Sequence, residues 1–555
     1  MAPEIEVRVA GRDPLRVPVG TTVRDLPGSE TDASGLRHLG ALVNNDAVTL
    51  TYPLEVDCDV ELLTIRHPQG WRIYRNSVAF LLAKTVRELH PAAEFAVEHS
   101  LGTGFYCRFA LDGRSGATAE RCAAIEARMH ETARADRPIE RRKVAFAQAM
   151  TAFEAEGQRD KYDLLRFRNP PKVVVYECEG FTDLAHGVLA DRTGALDHFR
   201  IIAHPPGFVL QLPDRDRAPE IAPFDPQPQL FRIFQEHKEW GRILGLRTVG
   251  DLNRLIADGE IHDLVRIAEA FHEKKIAEIA DHIHRHRDRL RWVLIAGPSS
   301  SGKTTFVKRL AVQLRVNGLR TAGLSVDNYF VDRARTPRDE SGAYDFEHLD
   351  AVDLDLLGEH LRALDEGREI ELPVFDFGTG ARTFRGERLR RDGDQIVLIE
   401  GIHALNPRLT AAVPSERKFR VYISALTQLN LDCHNRIATT DNRLLRRLVR
   451  DRLFRGHDAR RTLEMWPSVR RGEKRWVFPY QGEADVAFNS ALDYELAVLK
   501  PMAEPLLTEV KPFHAPYAEA RRLMEFLGSF LTVSAALVPP NSILREFIGR
   551  SSFRY

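Results

Sequence analysis

Residues 297–304 read Gly-Pro-Ser-Ser-Ser-Gly-Lys-Thr, a complete G-x-x-x-x-G-K-S/T phosphate-binding loop. The apolar run Trp292–Ala296 ends directly before it and predicts a β-strand. Behind the loop, apolar residues recur at helical spacing: Val307, Leu310, Ala311 and Leu314. A strand, a glycine-rich turn and a helix N-terminus together direct backbone N–H groups and the positive end of a helix dipole at phosphate oxygens. We therefore expect the chain to bind a nucleoside triphosphate.

Within this loop the two last residues have separate roles. Lys303 is placed to contact the β- and γ-phosphates, and the Thr304 hydroxyl is placed to bind Mg²⁺. The other residues expected to contact ATP are Gly297, Ser299, Ser300, Ser301, Gly302 and Thr305. A chance match of eight residues has odds of roughly one in a hundred for a chain of this length, and the flanking strand and helix argue against it.

The composition indicates a soluble, multidomain protein of a reducing compartment. The chain has 555 residues, which predicts about three to four domains, and its 79 basic side chains balance 79 acidic ones. The five cysteines lie far apart without a C-x-x-C pair, which argues against a disulfide framework and a zinc ribbon. The N-terminus lacks the basic start and apolar core of a signal peptide, and the longest apolar stretch, near 526–538, is too short to span a bilayer. We expect a cytoplasmic protein without membrane association.

The order of apolar patterns predicts an α/β multidomain chain. Short alternating runs over residues 4–66 predict a small β-rich module. Helical and strand-like stretches then alternate up to 205, followed by a proline-rich linker over 205–230 and a helix near 263–288. From there strands alternate with helices, as in a parallel sheet with helices on both faces. We place the domains at 1–68, 69–205, 206–290 (linker and helical connector) and 291–555.

Two acidic residues follow successive predicted strands of the C-terminal half. The run 322–326 ends in Asp327, and the run 396–399 ends in Glu400. Ligands of doubly wound sheets bind beyond the carboxyl ends of the strands. One carboxylate can orient and deprotonate a nucleophilic hydroxyl while the other holds Mg²⁺, the two tasks that phosphoryl transfer needs beside the loop lysine. A lone aspartate at a strand end more often caps a turn, but two acids after a phosphate-binding loop favour function.

Four arginines fall on one face of a predicted helix: Arg443, Arg446, Arg447 and Arg450. A solvated helix surface would explain them, but such a stripe without interleaved acids is electrostatically costly. A lid that clamps phosphates and neutralises developing charge uses this arrangement, and we favour it.

In order along residues 290–500, these motifs resemble those of the uridine–cytidine kinase and phosphoribulokinase family. Ser325–Phe330 is similar to the segment whose aspartate is the general base for the sugar 5′-hydroxyl, so the resemblance implies this role for Asp327. Asp345–Asp350 resembles the N-F-D-H-P-D segment, where Glu347 stands at the position that holds ribose hydroxyls. Glu400-Gly401-Ile402 resembles the magnesium-site E-G-I, and 443–450 resembles the R-L-x-R-R-x-x-R lid.

The resemblance implies a nucleoside kinase that uses ATP and Mg²⁺. By position it assigns catalysis to Asp327, Lys303, Arg446 and Arg447, and ATP contact also to Arg450. It assigns substrate contact to Asp327, Tyr329, Glu347, Phe375, Asp376 and Arg443, and metal binding to Thr304 and Glu400.

Base recognition departs from the family pattern. Uridine–cytidine kinases read the pyrimidine with the tyrosine of P-x-Y-D-F and a histidine five residues on, but here these positions hold Phe375 and Gly380. Loss of a phenol and an imidazole removes hydrogen bonds to the base edge. We expect recognition of the ribose to survive and base discrimination to be weak or altered, with uridine and cytidine as the first candidates.

The N-terminal half resembles two modules of threonyl-tRNA synthetases. Val17–Leu26 with 41–45 is similar to the β-grasp TGS module, and 71–200 to the editing-type second additional domain. Asn76 and Phe80 replace both histidines of the H-x-x-x-H pair there. Cys178 matches the later C-x-x-x-H cysteine, but Thr182 replaces its histidine. We expect the scaffold without zinc and without editing chemistry.

The leading hypothesis is thus an ATP- and Mg²⁺-dependent nucleoside kinase, a phosphotransferase with an alcohol group as acceptor, and a homo-oligomer. The alternative is an RNA- or tRNA-associated P-loop NTPase or kinase whose synthetase-like half binds RNA. A regulatory ligand is the other candidate for that half. A GTPase is disfavoured because the chain has no N-K-x-D motif, and phosphoribulokinase or pantothenate kinase would be the nearest kinases with a different substrate.

Overall fold

The computed structural model describes residues 3–340, 342–376 and 378–554, so Phe377 of the Pro373–Phe377 motif lies outside the described residues. The chain forms two units and passes between them more than once. The N-terminal unit comprises the chain up to residue 258 together with 428–438 and 504–531. The C-terminal unit comprises 259–427, 439–503 and the chain from 532 onwards. The domain boundaries predicted above remain predictions.

The N-terminal unit begins with the predicted β-rich module. Its strands are β1 (Glu4–Val9), β2 (Leu15–Pro18), β3 (Gly40–Val43), β4 (Asp46–Val48) and β5 (Cys58–Leu63). They form one sheet in the order β2-β1-β5-β3-β4, in which β1 pairs with β5 in parallel and the other pairs are antiparallel. Alternate residues such as Val7, Val9 and Val60 are buried on one face, which is the pattern expected of a half-buried sheet.

An α+β region follows. Its elements are α1 (Pro68–Leu89), β6 (Glu94–Leu101), β7 (Gly104–Leu111), β8 (Arg114–Ser115), α2 (Ala119–Arg134), β9 (Glu140–Ala145), α3 (Phe146–Ala155), α4 (Arg159–Leu165), β10 (Lys172–Cys178), β11 (Phe181–Asp183), β12 (Arg200–His204), β13 (Gly207–Gln211), α5 (Pro228–Ile243) and α6 (Val249–Ala257). One sheet has the order β12-β13-β7-β6 with β8 on β7, and a second has the order β11-β10-β9. Helix α1 supplies much of their shared core.

The first part of the predicted linker is a strand. Gly207–Gln211 forms β13, which lies between β12 and β7 and is buried along its whole length. The linker prediction was wrong here because the prolines on either side outweighed the short apolar run Phe208-Val209-Leu210. An irregular stretch does follow, from 218 to 227, before α5 begins at Pro228.

The C-terminal unit alternates helices with strands. Its elements are α7 (Ile261–Arg285), β14 (Trp292–Ala296), α8 (Lys303–Val316), β15 (Thr321–Ser325), α9 (Leu354–Asp365), β16 (Glu369–Asp376), β17 (Ala381–Arg390), β18 (Ile396–Glu400), β19 (Lys418–Ser424), α10 (Thr439–Phe454), α11 (Ala459–Trp476), β20 (Val486–Asn489) and α12 (Glu495–Leu507). Two further helices are α13 (Tyr517–Leu527), which belongs to the N-terminal unit, and α14 (Arg545–Ile548). None of the described helices is both long and apolar enough to span a membrane.

The main sheet of this unit is parallel throughout, as predicted. Its order is β15-β18-β14-β19-β20, with β14 in the centre. Because the strands are parallel, the carboxyl ends of β14, β15 and β18 lie at one edge. The loop after β14, Asp327 after β15 and Glu400 at the end of β18 therefore meet there. Strand β20 was not predicted, since its run of four residues is too short to stand out in the sequence.

Candidate functional site

The phosphate-binding loop has the strand–turn–helix geometry that its sequence predicts. It leaves β14 at Gly297 and reaches α8 through two left-handed residues, Ser300 at φ 60° and Gly302 at φ 83°. A Cβ on Gly302 would lie 2.4 Å from Cγ2 of Ile543. Glycine is therefore required at this position both by the backbone conformation and by the close packing of Ile543.

The loop presents polar groups without protein partners. The amides of Gly302, Lys303 and Thr304 engage no acceptor within the described residues, as expected for the first turn of a helix. The Ser300 and Ser301 hydroxyl oxygens are buried and likewise have no partner in the described part of the chain. Such a concentration of unpaired donors fits a bound phosphate group.

Lys303 lies inside the curve of the loop. Its Nζ donates to the carbonyl oxygens of Gly297 at 3.0 Å and Pro298 at 3.3 Å. Its charge also acts on three carboxylates around it, those of Asp327, Glu347 and Glu400, and offsets part of the rise in pKa that burial causes in each. One ammonium group therefore links the phosphate-binding loop to these three acidic residues.

These three carboxyl groups have raised pKa values. For Asp327 the main cause is desolvation by the surrounding protein, even though part of its side chain faces solvent. We call the region around Lys303, Asp327, Glu347 and Glu400 the cleft. Burial raises the pKa of Glu347 to about 7, with Glu473 adding to the effect. Burial also raises the pKa of Glu400 to about 7, with Asp327 as the next cause. The charge of Asp327 raises the pKa of both Glu347 and Glu400, so the three carboxyl groups lie close enough to act on one another.

Thr304 and Glu400 fit a magnesium ion. The Thr304 hydroxyl lies 3.3 Å from Oε2 and 3.4 Å from Oε1 of Glu400, although the two residues are 96 positions apart. Mg²⁺ prefers oxygen ligands and binds through one or two carboxylates together with substrate phosphates. The repulsion between Glu400 and Asp327 is the kind that a divalent cation relieves. The donor set and its charge therefore match the metal that the sequence implies.

Two of the four arginines on α10 are fully buried in ion pairs. The Arg443 guanidinium pairs with Glu473 of α11, and its Nε donates to the Ser299 carbonyl oxygen at 2.9 Å. The Arg446 Nε donates to Glu495 at 2.9 Å, and its other nitrogens reach Ser490. Both arginines attach α10 to its surroundings and reach the phosphate-binding loop, Arg443 at the Ser299 carbonyl and Arg446 at the Ser300 carbonyl at 3.4 Å.

Of the other two arginines, Arg447 is also buried and Arg450 is partly exposed. Arg447 donates to the Ser299 hydroxyl at 2.9 Å and forms an ion pair with Asp451 at 3.2 Å. Arg450 pairs with the same Asp451 at 3.3 Å. The charges of Arg450 and of Arg455, just beyond the helix, both act on the Asp327 carboxyl. Arg455 was not identified from the sequence because it falls after the regular stripe.

The residues predicted to contact substrate divide into two groups. Glu347 lies in the cleft, with one carboxylate oxygen buried and without a hydrogen bond in the described part of the chain. Tyr329 is only 1% exposed, and its hydroxyl lies 2.9 Å from Nδ1 of His360, so it faces the interior. The Asp376 carboxylate accepts the amides of Gly378 and Thr379 in the β16–β17 turn. Tyr329 is thus an interior residue, and Asp376 is an exposed residue that shapes the turn.

Phe375 and Gly380 lie on the β16–β17 hairpin beside the cleft. The Phe375 ring is buried against Phe330 at 5.6 Å, and its amide donates to Asn328, the neighbour of Asp327. Gly380 has a φ of 72°, and a Cβ there would lie 2.6 Å from Nε of Arg333. The space beside residue 380 therefore holds a guanidinium group, and both positions differ chemically from the tyrosine and histidine of the family pattern.

Two carboxylates that the sequence analysis missed bind the phosphate-binding loop directly. Glu473, fully buried on α11, accepts the Ser299 amide at 2.9 Å and Nη1 of Arg470 at 3.0 Å. Glu546 of α14 accepts the amide and the hydroxyl of Thr305 at 3.1 and 2.9 Å. Glu473 stands among basic residues of α11, and Glu546 is 241 residues from its partner Thr305. No local sequence pattern therefore predicts that either carboxylate binds the loop region.

Comparison with known proteins agrees with this geometry. Residues 293–497 match the Phosphoribulokinase / Uridine kinase family. A uridine kinase of Chloroflexus aurantiacus is 33% identical over 195 residues, which cover 35% of this chain and 84% of that protein. The chain belongs to the phosphoribulokinase/uridine kinase family. Its C-terminal unit is accordingly that of a P-loop kinase.

The synthetase resemblance is also found. A threonine–tRNA ligase of Citrifermentans bemidjiense is 29% identical over 198 residues, and one of Coxiella burnetii is 32% identical over 166 residues. The first match covers 36% of this chain but only 31% of the ligase, so the chain spans about a third of that relative's length. Among solved structures, a possible uridine kinase from Bacillus stearothermophilus is 18% identical and is covered completely, with a TM-score of 0.27.

The ion pairs of Glu473 provide a test of how α10 is held. Glu473→Gln keeps the size of the side chain but leaves the buried Arg443 without its carboxylate. We expect a loss of about 3–5 kcal/mol in the free energy of unfolding, measured by urea denaturation. The control is Glu464→Gln on the same helix, where the exposed pair with Arg460 should cost less than about 1 kcal/mol. Equal small losses in both variants would show that the pair does not hold the helix.

The raised pKa values predict a pH dependence of stability. In the folded chain Glu347 and Glu400 keep their protons up to about pH 7. In the unfolded chain both have the ordinary glutamate pKa of 4.5 and lose their protons near that pH. The folded state therefore binds more protons in this window, and stability should fall as pH rises from 4.5 to 7. Melting temperatures should show a smaller fall in Glu347→Gln/Glu400→Gln than in the Glu464→Gln control. An unchanged slope would contradict the shifts.

Proposed function

We propose that the protein transfers the γ-phosphate of ATP to the 5′-hydroxyl of a ribonucleoside, giving the nucleoside monophosphate and ADP. The observation that carries the proposal is the convergence of Lys303, Thr304, Asp327 and Glu400 at one edge of the parallel sheet. A phosphate-binding loop alone would suit any P-loop NTPase. A carboxylate beside its lysine, separate from the one at Thr304, supplies a base for an acceptor hydroxyl.

Asp327 is the proposed general base. A sugar hydroxyl is a poor nucleophile at neutral pH, so a carboxylate that orients it and accepts its proton lowers the barrier. Desolvation raises the pKa of Asp327 and makes its carboxylate more basic, and the nearby charge of Lys303 offsets part of that rise. Glu347, with an unpaired buried oxygen, is the proposed acceptor for ribose hydroxyls.

The phosphate groups are held by the loop and its basic neighbours. The free amides at the start of α8 and the Lys303 ammonium are proposed to bind the β- and γ-phosphates. Arg447 already contacts the loop through the Ser299 hydroxyl, and the charge of Arg450 acts on Asp327. Mg²⁺ at Thr304 and Glu400 would neutralise phosphate charge. Glu473 and Glu546 already bind amides at either end of the loop, so they keep it in shape and exclude other acceptors there.

The substitution Asp327→Asn tests the base. It keeps size and hydrogen bonding but removes basicity, so kcat should fall by about 10²–10⁴-fold with a far smaller change in ATP affinity. The control is Asp355→Asn, an exposed residue of α9, which should leave kcat unchanged. Steady-state kinetics with uridine and ATP give both values.

The opposite outcome would exchange the roles of two residues. If Asp327→Asn turned over normally while Glu400→Gln was inactive at every Mg²⁺ concentration, Glu400 would be the base and Asp327 the metal ligand. In the proposed assignment, Glu400→Gln instead requires much higher Mg²⁺ for activity.

A substrate panel tests the acceptor. Because Phe375 and the Arg333 guanidinium replace the base-reading tyrosine and histidine, we expect kcat/KM for uridine, cytidine, adenosine and guanosine to lie within about 100-fold of one another. Ribulose 5-phosphate and pantothenate, the acceptors of the nearest alternatives, should be poor substrates. A preference for uridine by several orders of magnitude would show that other residues read the base, and turnover of only a non-nucleoside would reject the proposal.

A further inference from the structure

The N-terminal unit contains a cavity of about 420 Å³, all of whose lining residues belong to that unit. This is within the range of pockets that hold small organic molecules, roughly 300–1,000 Å³. The wall is predominantly basic: Arg87, Arg108, Lys161 and Arg247 face it, against the acids Glu94 and Asp160. Nothing in the proposed phosphotransfer uses this cavity.

Two of the four positive charges are already paired within the wall. Arg108 forms an ion pair with Glu94 at 2.8 Å. Lys161 is buried beside Asp183 at 3.1 Å; burial alone would lower its pKa, but the carboxylates of Asp183 and Asp160 outweigh that effect and raise it. These two residues therefore contribute little net attraction for a ligand.

Arg87 and Arg247 have no carboxylate partner among the described residues. Arg87 donates to a neutral group, the Glu156 carbonyl oxygen at 3.0 Å, and pairs with no carboxylate among the described residues. The Arg247 guanidinium has neither a hydrogen bond nor an ion pair in that part of the chain. Two guanidinium groups without counterions at the wall of one cavity attract an anion, and each can form bidentate hydrogen bonds with a carboxylate or a phosphate.

The cavity also has unpaired polar atoms and aromatic surface. Gln158 is 6% exposed, and its Oε1 has no partner among the described residues. Its Nε2 donates to Glu156 at 2.8 Å and to the Thr182 carbonyl at 3.2 Å, which fixes the amide orientation and leaves the buried Oε1 as the atom without a donor in the described part of the chain. The rings of Phe95 and Phe181 line the same space. A matching ligand is an anion with a flat apolar part.

One wall of the cavity comes from a distant part of the chain. Residues 428–438 lie in sequence inside the kinase half but belong to the N-terminal unit. The amide of Cys433 donates to Asp160 at 2.7 Å, its carbonyl accepts from Val97 at 2.8 Å, and Nδ1 of His434 lies 2.6 Å from Asp183. Cys433 and His434 both line the cavity. The very next residue after this segment, Thr439, begins α10, the helix of the four arginines.

We propose that this cavity binds a small anionic molecule between Arg87 and Arg247, and that its occupancy changes nucleotide binding in the kinase unit through residues 428–438. A ligand that contacts Cys433 and His434 favours one arrangement of this segment over others. Because the segment is continuous with α10, the same preference acts on the helix whose arginines contact Ser299 of the phosphate-binding loop. The second half of the proposal rests on ATP binding at that loop.

Binding is tested with the full chain and three probes that share a ring: phenyl phosphate, 4-hydroxybenzoate and the neutral benzyl alcohol. Dissociation constants come from ligand-observed NMR titration. We expect one or both anions to bind and the alcohol not to, and the anion that binds better identifies phosphate or carboxylate as the preferred group. Arg87→Ala/Arg247→Ala should weaken binding at least tenfold, as expected for lost hydrogen bonds between charged groups.

The control variant is Arg16→Ala, an exposed arginine of β2 outside the cavity, which should bind the probes like the native chain. If neither anion bound, or if all variants bound the probes equally, the site would be rejected. A Lys303→Ala chain, which lacks the loop lysine, should retain the probe binding, and loss of binding there would place the anion at the kinase site instead.

Coupling is tested through linkage. The dissociation constant of a non-hydrolysable ATP analogue is measured with and without the better probe, and it should change at least fivefold. The probe affinity must then change by the same factor when the analogue is saturating, and Arg87→Ala/Arg247→Ala should abolish both effects. Probe binding without any change in analogue affinity would overturn the coupling. A native chain that bound the probes but no ATP analogue would instead refute the proposed kinase function, because the probe titration does not depend on ATP binding.

Discussion

The charge of Lys303 is the interaction on which the active region depends. Its ammonium lies inside the loop, bonded to two loop carbonyls, and faces Asp327, Glu347 and Glu400. Three carboxyl groups in so small a space repel one another, and burial makes the repulsion stronger. Among the described residues, Lys303 is the one cation that acts on all three, and arginines of α10 and Arg455 add to its effect on individual carboxyl groups. The raised pKa values of Glu347 and Glu400 show that this positive charge offsets only part of the effect of burial.

The arginine-bearing helix serves two purposes with one sequence motif. The buried pairs Arg443–Glu473 and Arg446–Glu495 fix α10 in place, while Arg447 and Arg450 share the carboxylate of Asp451. A buried pair is costly to form but costlier to break, because removal of one partner leaves a desolvated charge. Arg443 and Arg446 therefore hold the helix in place, and Arg447 and Arg450 are the arginines proposed to contact phosphate. Evenly spaced arginines in a sequence do not distinguish these tasks.

The N-terminal unit has apolar and amide side chains at the positions that its resemblance to threonyl-tRNA synthetases singled out. Phe80 packs against Phe181 at 5.3 Å, and burial raises the pKa of the Cys178 thiol to about 11. Asn76 lies beside the His186 carbonyl. Phe80 and Cys178 belong to the buried core of the unit. The polar groups that remain, from Lys161 to His434, are gathered around a segment contributed by the kinase half of the chain.

Much of this could be predicted from local sequence. The loop at 297–304, the strands of the parallel sheet and the acids at Asp327 and Glu400 follow from short-range patterns, since a loop of this kind requires its strand and helix immediately beside it. Helix α7 was expected at 263–288 and is found at Ile261–Arg285. The predictions were weaker where apolar runs are short, as in β13 and β20, because four or five residues are easily outweighed by neighbouring prolines or charges.

The sequence by itself determined the class of site: a phosphate-binding loop, two acids at strand ends, and an arginine helix, all set by residue type and spacing. Only the tertiary structure decided that three of the four arginines are buried, that the Tyr329 hydroxyl contacts His360 in the interior, and that Glu473 and Glu546 bind amides of residues 299 and 305. The reason is physical. Spacing places residues on one face of an element, but burial and charge pairing depend on partners that lie tens to hundreds of positions away and leave no mark on the local pattern.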